Sequence, residues 1–261
     1  EIEMIGITAC GSYIPYWRLS REIISKAWGR RPPPGEKAAA YYDEDALTMA
    51  VDACLTAIGD GDPKKIDSLL FSTTTSPYRE KLSSATIAFA CDLRGDIFTS
   101  DLSSSLRSGT SAFRLACELI KSGAGKSALV AGSDARLGRP ESDLEMSLGD
   151  GAGAFCLGQG DQVIAEVECS FSVVDEILDA WRKDEDRYVQ TGTEERFGQI
   201  YGYVKNMREA CLGAMKAANA KPEEISRAVL SAPNQGGLVQ LARALGLNAE
   251  KQVQDLSLIH I

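Results

Sequence analysis

The sequence contains a single histidine, His260, which is the penultimate residue. Histidine is the most frequent general base, a common zinc ligand and the usual partner of a nucleophilic serine. In this sequence, His260 is the only histidine that could fill any of these roles. We therefore expect neither a histidine-based catalytic dyad nor a histidine-rich centre, and we predict no bound metal.

Cysteine is the other residue type that could supply a nucleophile or a metal ligand. The seven cysteines lie in apolar runs, are odd in number and include no Cys-x-x-Cys pair. This pattern favours reduced, mostly buried thiols and a cytoplasmic location over a disulfide framework or a zinc site. Cys117 lies within a helical pattern, and we expect it to pack in the core.

The composition, 44% hydrophobic and 25% charged, is typical of a globular chain that can bury a sizeable core. The net charge of −9 repels polyanions. The clearest basic doublet, Arg30-Arg31, places only two charges in a loop. No stretch approaches the roughly 20 apolar residues of a membrane span. Nucleic acids and membranes are therefore not expected partners.

Strand-like and helix-like periodicities alternate along the chain, which predicts a mixed α/β architecture. The predicted strands cover residues 5–14, 67–74, 97–100, 127–132, 154–157 and 228–231. The predicted helices cover residues 45–58, 83–93, 108–121, 175–179, 203–218 and 237–245, and residues 163–174 are expected to be extended. The glycine-rich run 149–153 precedes a strand, unlike a dinucleotide-binding loop, so we interpret it as a tightly packed turn.

Two segments look like copies of one another. Ala-Cys-Leu-x-Ala occurs at residues 53–57 and again at residues 210–214. Each copy is followed by a proline-containing turn, at residues 62–66 and 221–225, and then by an apolar strand. Chance similarity is the alternative, but a duplicated fold is the better interpretation.

The duplication predicts an N-terminal half at residues 1–162 and an incomplete C-terminal half at residues 163–256. The chain is expected to be truncated at its C-terminal end. Residues 257–261 are interpreted as a non-native tail, in which case His260 does not belong to the protein.

Five short motifs occur in an ordered series: residues 43–50 (DEDALTMA), 69–74 (LLFSTT), 133–136 (SDAR), 149–153 (GDGAG) and 177–182 (ILDAWR). In this order the chain resembles hydroxymethylglutaryl-CoA synthase of the thiolase superfamily. Residues 180–182 (AWR) and 194–198 (EERFG) look most like a bacterial branch often linked to a small OB-fold protein. The resemblance implies thiolase-like duplicated α/β/α halves, acyl-CoA thioester substrates and a homodimer. Coenzyme A enters as part of the substrate, and no separate cofactor is expected.

The family's reaction uses a cysteine nucleophile, a glutamate and a histidine. Matched by motif, the resemblance assigns these three positions to Leu106, Thr74 and Ser231, none of which carries the required group. Ser105 could replace the cysteine only with the help of a general base, and none lies nearby in the sequence. We therefore do not expect covalent acyl transfer by the family's usual route.

Four residues are candidates for binding the substrate: Arg107, Arg136, Ser231 and Asn234. The two arginines could contact CoA phosphates, but an arginine at a helix start or in a loop is more often a solvated or salt-bridged surface residue. The lysine that the family carries after its histidine is absent, since residues 234–237 (NQGG) occupy that place.

Three functions stay open at this point. The first is an enzyme that forms or cleaves a carbon–carbon bond next to a CoA thioester without a covalent intermediate, as in retro-aldol cleavage. Its base could be Tyr13, Tyr78, Tyr201 or Tyr203, although a role in packing or at an interface is the favoured interpretation of these residues. The second is a non-catalytic subunit that scaffolds a partner enzyme. The third is an ordinary synthase whose catalytic residues lie at other positions.

Overall fold

The computed structural model describes residues 4–31, 33–192 and 195–254. His260, the tail 257–261 and Glu194 of the EERFG motif lie outside these residues. The chain divides into two compact units, Glu1–Arg136 with Leu148–Val167 and Leu137–Ser147 with Glu168–Ile261. The domain limits inferred from the duplication stay a prediction.

The first unit contains most of the secondary structure. Its strands are β1 (Ile5–Tyr13), β2 (Arg18–Ser20), β3 (Glu36–Ala38), β4 (Ser68–Thr73), β5 (Phe98–Ser103), β6 (Ala128–Asp134), β7 (Gly151–Gln159) and β8 (Ala165–Glu166). Its α-helices are α1 (Arg21–Ala27), α2 (Ala46–Ile58), α3 (Ser83–Ala90) and α4 (Ser108–Lys121). Six of the strands form one mixed sheet in the order β5-β4-β6-β7-β1-β8.

The centre of this sheet is parallel and covered on both faces. β4 pairs in parallel with both β5 and β6, and β7 runs antiparallel to β6 and β1. Leu69 and Phe71 of β4 pack in a core cluster with residues of α2 and α3, whereas Leu70 packs with residues of α4. Because successive strand residues point to opposite faces, a continuously apolar strand is what a covered parallel sheet requires.

Helix α2 lies very close to β1, and a glycine permits this approach. A Cβ atom on Gly11 would lie 2.4 Å from the Ala53 carbonyl oxygen and from the Ala57 amide nitrogen. The start of α2 is fixed by Asp45, whose Oδ1 accepts hydrogen bonds from the amides of Leu47 and Thr48 at 2.9 and 2.8 Å. These residues set where α2 begins and how closely it packs on the sheet.

The second unit has shorter elements. They are α5 (Asp143–Ser147), β9 (Ala180–Trp181), β10 (Gln190–Thr191), α6 (Glu195–Phe197), a π-helix (Gly198–Val204), α7 (Lys205–Ala217), β11 (Ala228–Val229), α8 (Gln235–Ala244) and β12 (Val253–Gln254). β11 and β12 pair in parallel. Leu238, Leu241 and Leu245 of the α8 region form the buried centre of this unit.

The two similar segments adopt the same local structure. In the first, α2 is followed by a 3₁₀ turn at Pro63–Lys65 and then by β4. In the second, α7 is followed by a 3₁₀ turn at Pro222–Glu224 and then by β11. A proline opens both turns, where its fixed φ and missing amide hydrogen are tolerated.

Several local predictions were wrong. Residues 175–179 form no helix; Asp175 instead accepts a hydrogen bond from Lys205 Nζ at 2.9 Å, an interaction between segments that local sequence cannot report. Of the predicted extended run 163–174, only Ala165–Glu166 pairs as a strand. The prediction also missed β2, α1 and β3, since two three-residue strands and a seven-residue helix leave weak periodic signals.

Within the described residues, no helix combines the length and the apolar character that crossing a bilayer requires. All seven cysteines are free; Cys54, Cys91 and Cys117 are buried, and Cys10 is exposed.

Candidate functional site

The carboxyl ends of three parallel strands meet at one edge of the main sheet. Thr73, the last residue of β4, pairs in register with Ser103, the last residue of β5. β6 ends beside them at Asp134, which pairs with Gly151 at the start of β7. Thr74 therefore lies at the same sheet edge as the loop that leads to Leu106. Ligand sites in open α/β sheets commonly lie at this edge.

Asp134 is the polar centre of this edge. Its Oδ1 accepts hydrogen bonds from the Thr74 amide at 2.7 Å and from the hydroxyls of Thr73, Thr74 and Thr75 at 3.1, 2.9 and 3.0 Å. The Thr75 hydroxyl accepts in turn from the Ala135 amide at 2.9 Å. One carboxylate oxygen thus ties the loop after β4 to the end of β6. The hydrogen bonds that this oxygen accepts all come from the protein itself, so its role is structural.

A second carboxyl group, Asp150, lies next to Gly151 at this edge. Its Oδ2 accepts a hydrogen bond from the Ala40 amide at 2.8 Å. Burial raises the pKa of Asp150; the Ala40 hydrogen bond and the charge of Lys37 oppose the rise, and the charges of Glu44 and Asp134 add to it. A partly buried carboxyl with a raised pKa can exchange a proton closer to neutrality than an ordinary aspartate.

The loop before α4 presents Leu106 to solvent. The Leu106 side chain is 67% exposed, and it immediately precedes Arg107, the N-cap residue of α4. Ser104 has a φ of +68°, a left-handed conformation that side-chain-bearing residues rarely adopt. The Ser105 hydroxyl accepts a hydrogen bond from the Arg107 amide at 3.2 Å. The strained loop holds position 106 at the positive end of α4.

In the second unit, Ser231 and Asn234 lie beside the π-helix. The Tyr203 hydroxyl donates a hydrogen bond to the Ser231 carbonyl oxygen at 2.7 Å. Asn234 caps α8, since its Oδ1 accepts from the Gly237 amide at 2.8 Å, and its Nδ2 donates to Gln199 Oε1 at 3.1 Å. Tyr203 and Gln199 both belong to the π-helix, a structure that recurs at functional sites.

The structure separates the four tyrosines by environment. The hydrogen bond to Glu44 raises the pKa of Tyr13 to about 12, and burial raises the pKa of Tyr203 to about 12. Both hydroxyls therefore stay protonated at neutral pH and act as donors rather than as bases. Tyr78 and Tyr201 are about half exposed, and the Lys81 ammonium lies 4.4 Å from the ring centroid of Tyr78.

The structure places the predicted site residues in two groups, and the sequence analysis missed some further candidates. Thr74 and Leu106 lie at one sheet edge in the first unit, whereas Ser231 and Asn234 lie together in the second. Arg107 is exposed at the start of α4, and Arg136 is half-buried. The missed residues are Asp134, Asp150 and Gln199. Asp134 and Asp150 lie in motifs that the sequence analysis recognised. The contacts of Asp134 with the threonines join residues about sixty positions apart, and local sequence patterns do not show such contacts.

Among the described residues, no group of three or more histidine, cysteine, aspartate or glutamate side chains is arranged to hold a metal ion.

Solved structures define the fold. The structure matches 3-oxoacyl-(acyl carrier protein) synthase III, FabH, from Pseudomonas aeruginosa PAO1 with a TM-score of 0.83 and 22% identity, covering 97% of this chain and 83% of that one. It matches Xanthomonas campestris OleA with bound lauric acid and lauroyl-CoA with a TM-score of 0.81 and 15% identity, covering 97% and 85%. The protein has the thiolase-like α/β fold, which confirms the predicted fold class.

Sequence relatives narrow the class to a family. Residues 100–172 match the model of 3-oxoacyl-[acyl-carrier-protein (ACP)] synthase III. Hydroxymethylglutaryl-CoA synthase of Pyrococcus horikoshii is 33% identical over 259 residues, which cover 98% of this chain and 73% of that protein. The Archaeoglobus fulgidus synthase is 32% identical over 262 residues, covering 97% and 75%. The chain belongs to the hydroxymethylglutaryl-CoA synthase family, as its motifs indicated.

Proposed function

We propose that this protein binds an acyl-CoA thioester and forms or cleaves a carbon–carbon bond beside the thioester without a covalent acyl-enzyme. The observation that carries the proposal is Leu106. Family resemblance assigns the nucleophile to this position, and the exposed side chain there is a hydrocarbon. A leucine cannot attack a thioester, so acyl transfer through this position has no nucleophile. Family membership supports the acyl-CoA substrate class.

Asp150 is the group best suited to move the proton. Asp134 accepts four hydrogen bonds on one oxygen, and Tyr13 and Tyr203 hold their protons to a pKa of about 12. The pKa of Asp150 is instead raised above that of an ordinary aspartate by burial, which favours proton exchange closer to neutrality. In the cleavage direction, the Asp150 carboxylate takes the proton of a β-hydroxyl group. The carbon–carbon bond then breaks, releasing a carbonyl compound and a thioester enolate, and the enolate carbon takes the proton from the Asp150 carboxyl, which regenerates the carboxylate.

The positive N-terminal end of α4 complements the negative charge that the proposed reaction involves. The helix has fourteen residues and no acidic residue in its first turn. Its positive end therefore favours negative charge near Leu106, such as an enolate oxygen or a phosphate. Arg107 and Arg136 are proposed to contact the CoA phosphates, and Ser231 and Asn234 stay proposed as substrate-binding residues of the second unit.

The decisive experiment measures cleavage of hydroxymethylglutaryl-CoA and of 3-hydroxyacyl-CoA thioesters by the purified chain. We expect release of a carbonyl product, and we expect Asp150→Asn to abolish it while Asp161→Asn, in the exposed turn after β7, leaves it unchanged. Absence of turnover with every thioester contradicts the enzymatic proposal. A stable acyl adduct that persists in Cys10→Ala, after treatment with acetyl-CoA, contradicts the non-covalent route.

A non-catalytic subunit is the second candidate. It is favoured by the same Asp134 cluster, because Asp134 Oδ1 accepts four hydrogen bonds from the protein itself and so maintains the local fold. Calorimetry with CoA separates the two proposals: a scaffold need not bind CoA, whereas the enzyme must.

We further propose a cytoplasmic homodimer that associates with an OB-fold protein. β5 is the edge strand of the main sheet, and no strand of the described residues covers its outer side. An uncovered strand edge is a ready site for pairing with a second chain. Light scattering of the purified protein tests the dimer, and co-purification with the OB-fold protein of the same genome tests the partner.

A further inference from the structure

A cleft of about 360 Å³ opens beside the end of β1 and the start of α2. Four of its lining residues are aromatic: Tyr13, Tyr16, Trp17 and Tyr41. The rings of Trp17 and Tyr41 stack with centroids 5.5 Å apart, and Tyr16 contacts Trp17 edge-on at 5.7 Å. Tyr16 is 84% exposed and Trp17 is 51% exposed. Exposed aromatic rings attract cationic or apolar groups.

The charged residues that line the cleft favour a cationic ligand over an apolar one. Asp43, Glu44 and Asp52 also line it, and none of the described lining residues is basic. The Glu44 carboxylate is held by the Tyr13 hydroxyl and by the Tyr41 amide at 2.6 Å. Asp43 and Asp52 are exposed. Carboxylates beside aromatic faces repel anions and stabilise a cation, so a neutral apolar ligand would leave this charge uncompensated.

A planar cation fits this combination better than a compact one. Guanidinium stacks on aromatic rings and donates paired hydrogen bonds to a carboxylate, whereas an ammonium group acts as a point charge. Aromatic surface also continues beyond the cleft, since the Tyr42 ring lies 4.6 Å from that of Tyr41 and Tyr42 is 86% exposed. This extension offers contacts to the residues that flank an arginine in a polypeptide.

We propose that the cleft lined by Tyr16, Trp17, Tyr41, Asp43 and Asp52 is a docking site for an arginine side chain of a partner polypeptide. The guanidinium stacks on the outer side of the Trp17–Tyr41 pair, and its N–H groups donate to Asp43 and Asp52. The proposal uses neither Leu106 nor Asp150 and needs no acyl-CoA, so it stands whether or not the proposed reaction occurs.

The test is a calorimetric titration of the full chain with the peptide acetyl-Gly-Arg-Gly-amide at low salt. The matched ligand replaces arginine with citrulline, which has nearly the same shape and no charge. We expect the arginine peptide to bind about tenfold more tightly than the citrulline peptide and the lysine peptide to be intermediate. The Trp17 indole resonance should shift only with the charged peptides. Equal affinity for arginine and citrulline, or no binding of either, overturns the proposal.

Variants locate the binding to the cleft. Asp43→Asn with Asp52→Asn, and separately Trp17→Ala, should each weaken binding of the arginine peptide by about tenfold. Asp161→Asn and Tyr78→Ala alter an exposed carboxylate and an exposed aromatic outside the cleft and should have no effect. Equal losses in the control variants overturn the assignment. Sedimentation of the chain alone tests a second copy as the occupant: dimers that dissociate in Asp43→Asn with Asp52→Asn also overturn it.

Discussion

The Asp134 carboxylate at the end of β6 holds Thr74 at the end of β4 through both the Thr74 amide and the Thr74 hydroxyl, at 2.7 and 2.9 Å. Family resemblance places a catalytic glutamate at position 74, where a carboxylate would lie against Asp134. With threonine there, the like-charge repulsion is absent and the same space is used for hydrogen bonding. These hydrogen bonds join the ends of β4 and β6.

Asp134→Ala should therefore destabilise the protein strongly. The substitution removes the acceptor of four hydrogen bonds and leaves the buried Thr73 hydroxyl without that partner. We expect a loss of about 3 kcal/mol in the free energy of unfolding, measured by urea denaturation. Asp161→Ala is the control and should change it by less than about 0.5 kcal/mol. Equal stability of the two variants would show that the cluster is dispensable.

Asp101 should stabilise α3 from a distant position. Its Oδ2 accepts from the Ser83 amide at 2.6 Å and its Oδ1 accepts from the Ser84 amide at 2.7 Å, while the N-cap residue Leu82 offers no side-chain cap. Asp101→Ala should cost about 1–2 kcal/mol in urea denaturation. Asp101→Asn keeps one acceptor oxygen and should recover part of the loss; no recovery would mean that the charge, rather than the hydrogen bonds, matters.

Asp150 should reduce stability at neutral pH. Its folded-state pKa lies above the unfolded value of about 3.9, so the folded protein binds the proton more tightly and stability falls as the pH rises through that window. Asp150→Asn removes the ionisation and keeps an acceptor for the Ala40 amide. The variant should be more stable than the natural chain at pH 7, with the difference shrinking toward pH 4 in thermal unfolding. A pH-independent difference would contradict the raised pKa.

A cysteine introduced at position 106 should have a lowered thiol pKa. Leu106→Cys places a thiol at the positive end of α4, and we expect its pKa to be lower than that of Leu115→Cys in the middle of the same helix, where Leu115 is 39% exposed. The pH dependence of iodoacetamide alkylation measures both, in a Cys10→Ser background that removes the exposed natural thiol. Identical pKa values would show that the helix end has no effect at this site.

Gly11→Ala should disrupt the packing of α2 on β1. The added Cβ meets the Ala53 and Ala57 backbone at 2.4 Å, and backbone atoms cannot rotate away. We expect a loss of about 3 kcal/mol in urea denaturation. Gly95→Ala is the matched control, since nothing lies within 4 Å of its Cβ position, and it should be neutral. A neutral Gly11→Ala would mean that α2 can move outward without cost.

The sequence predicted more of the fold than of the candidate site. The helix expected at residues 108–121 is Ser108–Lys121, and the strand expected at residues 67–74 is Ser68–Thr73, because their apolar patterns are local and long enough to read. The π-helix was not foreseen, since apolar spacing does not distinguish one wider turn from an ordinary helix.

The positions of Thr74, Leu106 and Ser231 came from resemblance, and their surroundings could not be derived. Asp134 reaches Thr74 across sixty residues, and Tyr203 reaches Ser231 across twenty-eight. Such pairings depend on strand order and helix type, which no spacing rule reports. The raised pKa of Asp150 likewise depends on burial by segments remote in sequence.

The repeated helix, turn and strand place nearly identical local sequences in two different environments. Cys54 of α2 is fully buried, whereas Cys211 at the same place in α7 is half-buried. A small thiol reagent should label Cys211 during local opening and Cys54 only when the first unit unfolds. The polypeptide thus contains a matched pair of reporters, and a single labelling time course, read by peptide mass spectrometry, would give the opening free energies of both units from one sample.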